Sequence, residues 1–187
     1  MKRVSVVGST GTGKTTFGRE LARVMDVPFT ELDAIVWQPK WTLLDPEAFR
    51  ARASERIAAP AWVIDGNYGG SGVRDLVWAA ADTIVWLDFS LAVIFPRLWR
   101  RTMARLRDNK ELWPDTGNRE TWRGAFLSRD SLFWWALKTH RPRRRNYARL
   151  LALPQYAGTT RLRFRTPVDA ERWLDAQRLA GGSRIHG

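Results

Sequence analysis

The stretch Val4-Ser-Val-Val-Gly8-Ser-Thr-Gly11-Thr-Gly13-Lys14-Thr15-Thr16 decides the reading of this chain. An apolar run of strand character meets a loop with three glycines, and Lys14-Thr15 open a helical pattern that continues through Val24. The spacing satisfies the whole Gly-x-x-x-x-Gly-Lys-[Ser/Thr] pattern in the strand, loop and helix setting that it requires. Glycines there let the backbone turn its N–H groups inward, and the helix that follows presents its positive end to phosphate. The expected ligand is therefore a nucleoside triphosphate, ATP, held by Gly8, Ser9, Thr10, Gly11, Thr12, Gly13, Lys14, Thr15 and Thr16. Lys14 reaches the β- and γ-phosphates, and Thr15 places its hydroxyl on Mg²⁺.

Outward from this loop, strand-like runs alternate with helical patterns. Val4 to Val7, Pro28 to Leu32, Ala61 to Ile64, Thr83 to Phe89 and Thr160 to Arg165 read as strands. Lys14 to Met25, Pro46 to Ala58, Leu91 to Arg107, Ser131 to Leu151 and Val168 to Ala180 read as helices. Such alternation predicts an α/β fold of three layers, with a five-stranded parallel sheet covered by helices on both faces. With 187 residues and 44% hydrophobic content, one substantial core is expected, in a single domain over residues 1–180. Asp108 to Arg129 is polar and holds Pro114, Gly117 and Gly124, so residues 108–130 are expected to form a loop or lid. Residues 181–187 are expected to be a disordered tail.

The chain lacks cysteine and has two histidines, which excludes disulfides, thiolate metal sites and a cysteine nucleophile. Any metal is expected to be Mg²⁺ carried with nucleotide. The first strand begins almost at once, and no apolar stretch reaches membrane-spanning length, so a cytoplasmic location is expected. The net charge is +12, and most of it is local. Between Arg97 and Arg149, thirteen Arg and two Lys stand against five acids, a net +10. This block has three readings: an arginine-rich lid over triphosphate and acceptor, a nucleic-acid surface, or compositional bias, since the chain has 26 Arg against 5 Lys.

Ligands of open α/β sheets lie beyond the carboxyl ends of the strands. Asp65, after Trp62-Val-Ile, fits a strand-end carboxylate that holds Mg²⁺ directly or through water; the alternative is a helix cap or turn. Asp33 lies where an acceptor would enter and would orient its hydroxyl or accept its proton; it also fits a cap or turn. Asp88 reads as structural. Trp37 and Trp41 divide between pocket wall and core, Tyr68 reads as a further pocket wall, and Trp62, Trp78, Trp86 and Trp173 read as core.

Together the phosphate loop, Leu32-Asp33, Asp65-Gly66 and the arginine-rich later segment resemble the nucleotide-kinase branch of the P-loop proteins, which includes adenylate and shikimate kinases. Leu32-Asp-Ala-Ile-Val-Trp37 with Trp41, Val63-Ile-Asp-Gly-Asn-Tyr68 and Ser131-Leu-Phe-Trp-Trp135 resemble, more narrowly, proteins labelled topology modulation protein or adenylate-kinase-like, over residues 1–178. The wider resemblance implies strand order 2-3-1-4-5, a lid after the fourth strand, and arginines from both lid flanks meeting the phosphates. Arg100-Arg101 match the opening pair, although a plain basic helix face accounts for them too. The closing arginine lies among Arg141, Arg143, Arg144 and Arg145, with Arg145 a candidate catalytic residue. Arg141 and Arg145 share a helix face only if the helix continues through Pro142. Adenylate kinases continue Asp-Gly with Phe-Pro-Arg, where this chain has Asn67-Tyr68-Gly69, and the missing arginine counts against a nucleoside monophosphate acceptor. The expected function is a Mg-ATP-dependent phosphotransferase acting on a small acceptor. The alternatives are a nucleic-acid-associated ATP-binding protein or regulator that uses the 97–149 block, and a nucleotide-binding scaffold without turnover.

Overall fold

Every residue from Val4 to Gly8 is buried, because the first strand lies at the centre of the sheet and is covered on both faces. A computed structural model describes residues 1–127 and 131–182. Five parallel strands form the main sheet: β1 (Arg3–Gly8), β2 (Phe29–Glu31), β5 (Trp62–Asp65), β6 (Thr83–Leu87) and β7 (Thr160–Phe164), in the order β2-β5-β1-β6-β7. Counted along the main sheet alone, this is the expected 2-3-1-4-5. Val4 sits opposite Val63 on one side and Thr83 on the other.

Alternation along the central strand divides the core in two. Val4 and Val6 pack with Phe17 and Leu21 of α1 (Lys14–Met25), Ile94 and Leu98 of α5 (Leu91–Asp108), and Ala170 and Leu174 of α7 (Pro167–Gly182). Val7 faces the other way, with Phe49 and Ala53 of α3 (Pro46–Ile57), Val77 and Trp78 of α4 (Val73–Ala80), and Tyr147 and Leu151 of α6 (Leu132–Leu151). Trp62, Trp78 and Trp86 are buried, and Trp173 packs half-buried against the first cluster.

Several elements depart from the sequence reading. The second strand stops at Glu31, and Leu32 opens the short helix α2 (Leu32–Val36), so Asp33 lies in a first helical turn and not at a strand end. A small hairpin follows, β3 (Trp37–Gln38) and β4 (Thr42–Leu43), and α4 was not expected. The five-residue α2 is too short to carry a periodic signal, and α4 is an eight-residue helix behind a glycine-rich stretch. Helix α6 continues through Pro142, at the cost of one backbone hydrogen bond. Helix α7 extends to Gly182, two residues into the expected tail, and 183–187 lie outside the described residues. In the expected lid, a π-helical turn spans Arg123–Leu127, and 128–130 lie outside the described residues.

Asp88, just past β6, has a side chain 1% exposed and holds Arg144 of α6 at 2.6 Å and Arg163 of β7 at 2.6 Å. Arg163 also stacks over Trp86 at 4.2 Å. This carboxylate ties the helix after the lid to the sheet, in line with its structural reading. Asp88→Ala leaves two guanidinium groups without their partner and is expected to cost about 2 kcal/mol. Thermal unfolding should show a midpoint lowered by about 4–8 °C.

Candidate active site

The loop between β1 and α1 takes its shape from close packing at its glycines. A Cβ on Gly8 would lie 2.6 Å from the carbonyl oxygen of Leu87, so only glycine fits there. Gly13 has φ of 88°, the left-handed region, at the N-cap of α1. Within the loop, the Thr12 hydroxyl donates to the Ser9 carbonyl at 2.9 Å and Lys14 Nζ donates to the same oxygen at 3.3 Å. Thr10 is partly buried beside Gly11, and Thr16 is exposed on the first turn of α1.

Two neighbours that sequence reasoning missed hold this loop. Asn67, two residues past β5, donates through Nδ2 to the Gly8 carbonyl at 2.6 Å and accepts through Oδ1 from the Gly8 N–H at 3.3 Å. The Tyr147 hydroxyl from α6 donates to the same Oδ1 at 2.8 Å. Burial pushes the Tyr147 phenol up to about 12, so it stays a donor. Arg97 of α5 donates to the Thr12 carbonyl at 3.1 Å and lies over the Phe89 ring.

Asp65 ends β5, buried, and accepts a 2.6 Å hydrogen bond from the Thr15 hydroxyl. A hydroxyl and a carboxylate side by side fit Mg²⁺ held with phosphate oxygens and water, since that ion takes hard oxygen ligands and few from protein. Among the described residues no group of three or more His, Cys, Asp and Glu is arranged as an all-protein metal site. Burial raises the Asp65 pKa above the ordinary carboxylate value, against the pull of Lys14 and the Thr15 bond. Burial likewise raises Glu31, with Asp33 and Asp65 adding repulsion.

Asp33 accepts a hydrogen bond from the Tyr68 hydroxyl through Oδ1. Burial and the neighbouring carboxylates push the Tyr68 phenol well above its ordinary range, which keeps it protonated as the donor. Over this side lies an aromatic roof. Trp37 and Trp41 meet edge to face at 5.6 Å, and Trp113 from the lid stacks on Trp37 at 6.0 Å. Buried Asn118 clasps the lid to the hairpin, donating to the Gln38 carbonyl at 2.9 Å and accepting from the Trp41 N–H at 3.0 Å. Trp41 remains 45% exposed and belongs to the outer wall, whereas Trp37 is partly buried and packs against the core cluster.

The expected arginines separate. Arg97, Arg101 and Arg105 recur at i, i+4 and i+8 beside the buried stripe of Ile94, Leu98 and Thr102. That spacing is the signal that singles out Arg97. Arg101 faces inward. Arg100 is exposed and shares a surface groove of about 510 Å³ with Trp99, Met103 and Trp122. On α6, Arg145 projects about 160° from the centre of the face that buries Ala136, His140 and Tyr147. It is exposed like Arg141, with which it shares a solvent face. The structure therefore gathers Lys14, Thr15, Asp33, Asp65 and Arg101 on one side of the molecule and leaves Arg100 and Arg145 on outer surfaces.

A shikimate kinase from Bacteroides thetaiotaomicron superposes on this fold with a TM-score of 0.51, over 96% of this chain and 97% of that one, at 18% identity. A sugar kinase from a Janibacter species gives 0.53 over 94% and 91%, at 19% identity. No family model matches the chain, and no curated protein matches it. The chain therefore shares the three-layer α/β fold of these two kinases. Among the described residues, no helix is long and apolar enough to cross a membrane.

Because the folded-state pKa of Asp65 is raised, its charge opposes folding above the ordinary carboxylate pKa, and this opposition fades as pH falls below it. Asp65→Asn is therefore expected to raise the melting temperature at neutral pH, with a gain that shrinks toward pH 4 in a calorimetric pH series.

Proposed function

We propose that this protein is a Mg-ATP-dependent phosphotransferase acting on a small hydroxylated acceptor. The observation that carries the reading is the Thr15–Asp65 contact at 2.6 Å beside a complete phosphate loop, with Asp33 and Tyr68 a short way along the same edge. The P-loop N–H groups and Lys14 hold the β- and γ-phosphates. Thr15 and Asp65 supply oxygen ligands for the Mg²⁺ that comes with the nucleotide and neutralises phosphate charge. Asp33 has one oxygen engaged by Tyr68 and one left to orient the acceptor hydroxyl and take its proton. The acceptor oxygen bonds to the γ-phosphorus as the bond from phosphorus to the bridging oxygen of ADP breaks. Arg97, bound to the loop at Thr12, lies on the nucleotide side, and the tryptophan roof excludes water from the transfer.

ADP release from Mg-ATP, measured across a panel of hydroxylated metabolites and nucleoside monophosphates, tests this reading. One small acceptor should raise turnover far above basal hydrolysis, and Lys14→Ala should lower that turnover by about 10²-fold or more. Stimulation confined to nucleic acid would overturn it.

A second reading draws on the outer groove, where Trp99 (51% exposed) and Trp122 (63%) alternate with Arg100 and Arg107. Exposed aromatics among arginines suit stacking on single-stranded nucleic acid. That reading predicts binding that weakens steeply with salt and falls in the Trp99→Ala, Trp122→Ala double variant, measured by fluorescence anisotropy of a labelled oligonucleotide.

A further inference from the structure

Helix α5 carries two apolar stripes. Ile94 and Leu98, with Thr102, form the buried one. Phe95, Trp99, Met103 and Leu106 recur at i, i+4, i+8 and i+11 and form the second, within about 80° of one another around the helix. This second stripe is not core, since Trp99 is 51% exposed. Ring contacts carry it into the lid and α6. Trp99 meets Phe126 at 5.5 Å and Phe133 at 6.2 Å, Trp122 meets Phe126 at 5.6 Å, and Phe133 meets Phe95 at 6.1 Å and Phe126 at 5.4 Å. On α6, Phe133, Trp134, Leu137 and Arg141 share about 100° of the helix. Trp134 and Leu137 are exposed there. Apolar side chains from three elements thus line one linked surface, and an exposed patch of this kind marks an interaction site.

Charge selects the partner. Residues 97–149 hold thirteen Arg and two Lys against five acids, a net +10, and Arg100, Arg107, Arg123, Lys138 and Arg141 are exposed on the same three elements. A second copy of the chain would set this positive block against itself, so the surface suits an anionic partner. Ring geometry then separates lipid from nucleic acid. Base stacking uses open ring faces, whereas Phe133 already has near-parallel partners, Phe95 at 19° and Phe126 at 25°. Trp99 and Trp122 tilt against Phe126 by 56° and 34°, so they make no common platform. The surface offers tilted indoles, aliphatic carbon and a rim of cations, which is what settles at a bilayer interface. We propose that the surface shared by α5, residues 122–126 and α6 docks on an anionic phospholipid bilayer. Trp99, Trp122 and Trp134 enter the interface and the surrounding cations meet the headgroups. Apolar insertion and basic attraction act together, the pair of signals that peripheral binding takes. This docking is independent of the phosphotransferase reading, and for the outer groove it favours lipid over the stacked bases of the second reading.

Vesicle flotation of the full chain provides the test. The vesicles are phosphatidylcholine alone or phosphatidylcholine with about a third phosphatidylglycerol, and a parallel set carries brominated acyl chains, which quench tryptophans that enter the bilayer. The expected result is flotation with the anionic vesicles only, with intrinsic fluorescence quenched by the brominated lipid. Trp99→Ala with Trp134→Ala should weaken vesicle binding about tenfold or more, and Arg100→Glu with Arg141→Glu should weaken it at least as much. Far-UV circular dichroism checks the fold of both variants. The charge variant leaves the aromatic contacts in place, so it carries the test if the tryptophan variant does not fold. Absence of flotation with the anionic vesicles overturns the proposal. So does flotation without quenching, which is adsorption by charge alone, or equal flotation with neutral vesicles. A labelled single-stranded oligonucleotide that binds the protein and is weakened by both variants, while vesicles do not bind, overturns it as well and assigns the surface to nucleic acid.

Discussion

The site is organised by the two-point hydrogen bond between the Asn67 side chain and the backbone of Gly8. Gly8 is the last residue of the central strand and the first of the phosphate loop, so a fixed Gly8 sets where every later N–H of the loop points. No side chain can be added there, because the Leu87 carbonyl occupies the space of a Cβ. The loop is thus held by packing from β6, by Asn67 just past β5, by Arg97 from α5 and, through Asn67, by Tyr147 from α6. Two of these supports, Arg97 on α5 and Tyr147 on α6, sit on the helices that directly precede and follow the lid, so the loop and the lid flanks form one framework.

Around that framework, several charges sit in surroundings that disfavour them. Asp65 and Glu31 are carboxylates in places that disfavour their charged forms, and Arg101 is a guanidinium without a partner. Each arrangement opposes stability in the free protein. Elsewhere the same chain pairs its charges well, as Asp88 does with Arg144 and Arg163. Disfavoured charge at the edge of the sheet that carries the Gly8–Thr15 loop is the pattern of a site in which ligands complete the electrostatics.

The sheet was legible because its strands are short apolar runs between helical patterns, and the loop because its glycines, lysine and threonine form a rigid spacing rule. Asp65 was legible for the same reason, as a polar residue after three apolar ones at a strand end. Asp33 was found, but in a helical turn, because a five-residue helix leaves no periodicity to read. Asn67, Asn118 and Trp113 were not singled out, since their roles arise from contacts across 59, 80 and about 76 residues of sequence that no local pattern encodes. The arginines show both outcomes. Family resemblance pointed to the adjacent pair Arg100-Arg101, whereas helix geometry selects Arg97, Arg101 and Arg105 and leaves Arg100 outside. Pro142 suggested a break in α6, yet the helix continues, because packing of His140 and Tyr147 on either side outweighs one lost hydrogen bond.

The most direct measurement of the central claim is amide hydrogen exchange, followed by mass spectrometry, with and without Mg-AMP-PNP. The account predicts slowed exchange in the peptides that cover residues 8–16, 65–68 and 97–105, with the outer face around Trp122, Trp134 and Trp135 unchanged. Protection confined to that outer face, or no protection of residues 8–16, would contradict it.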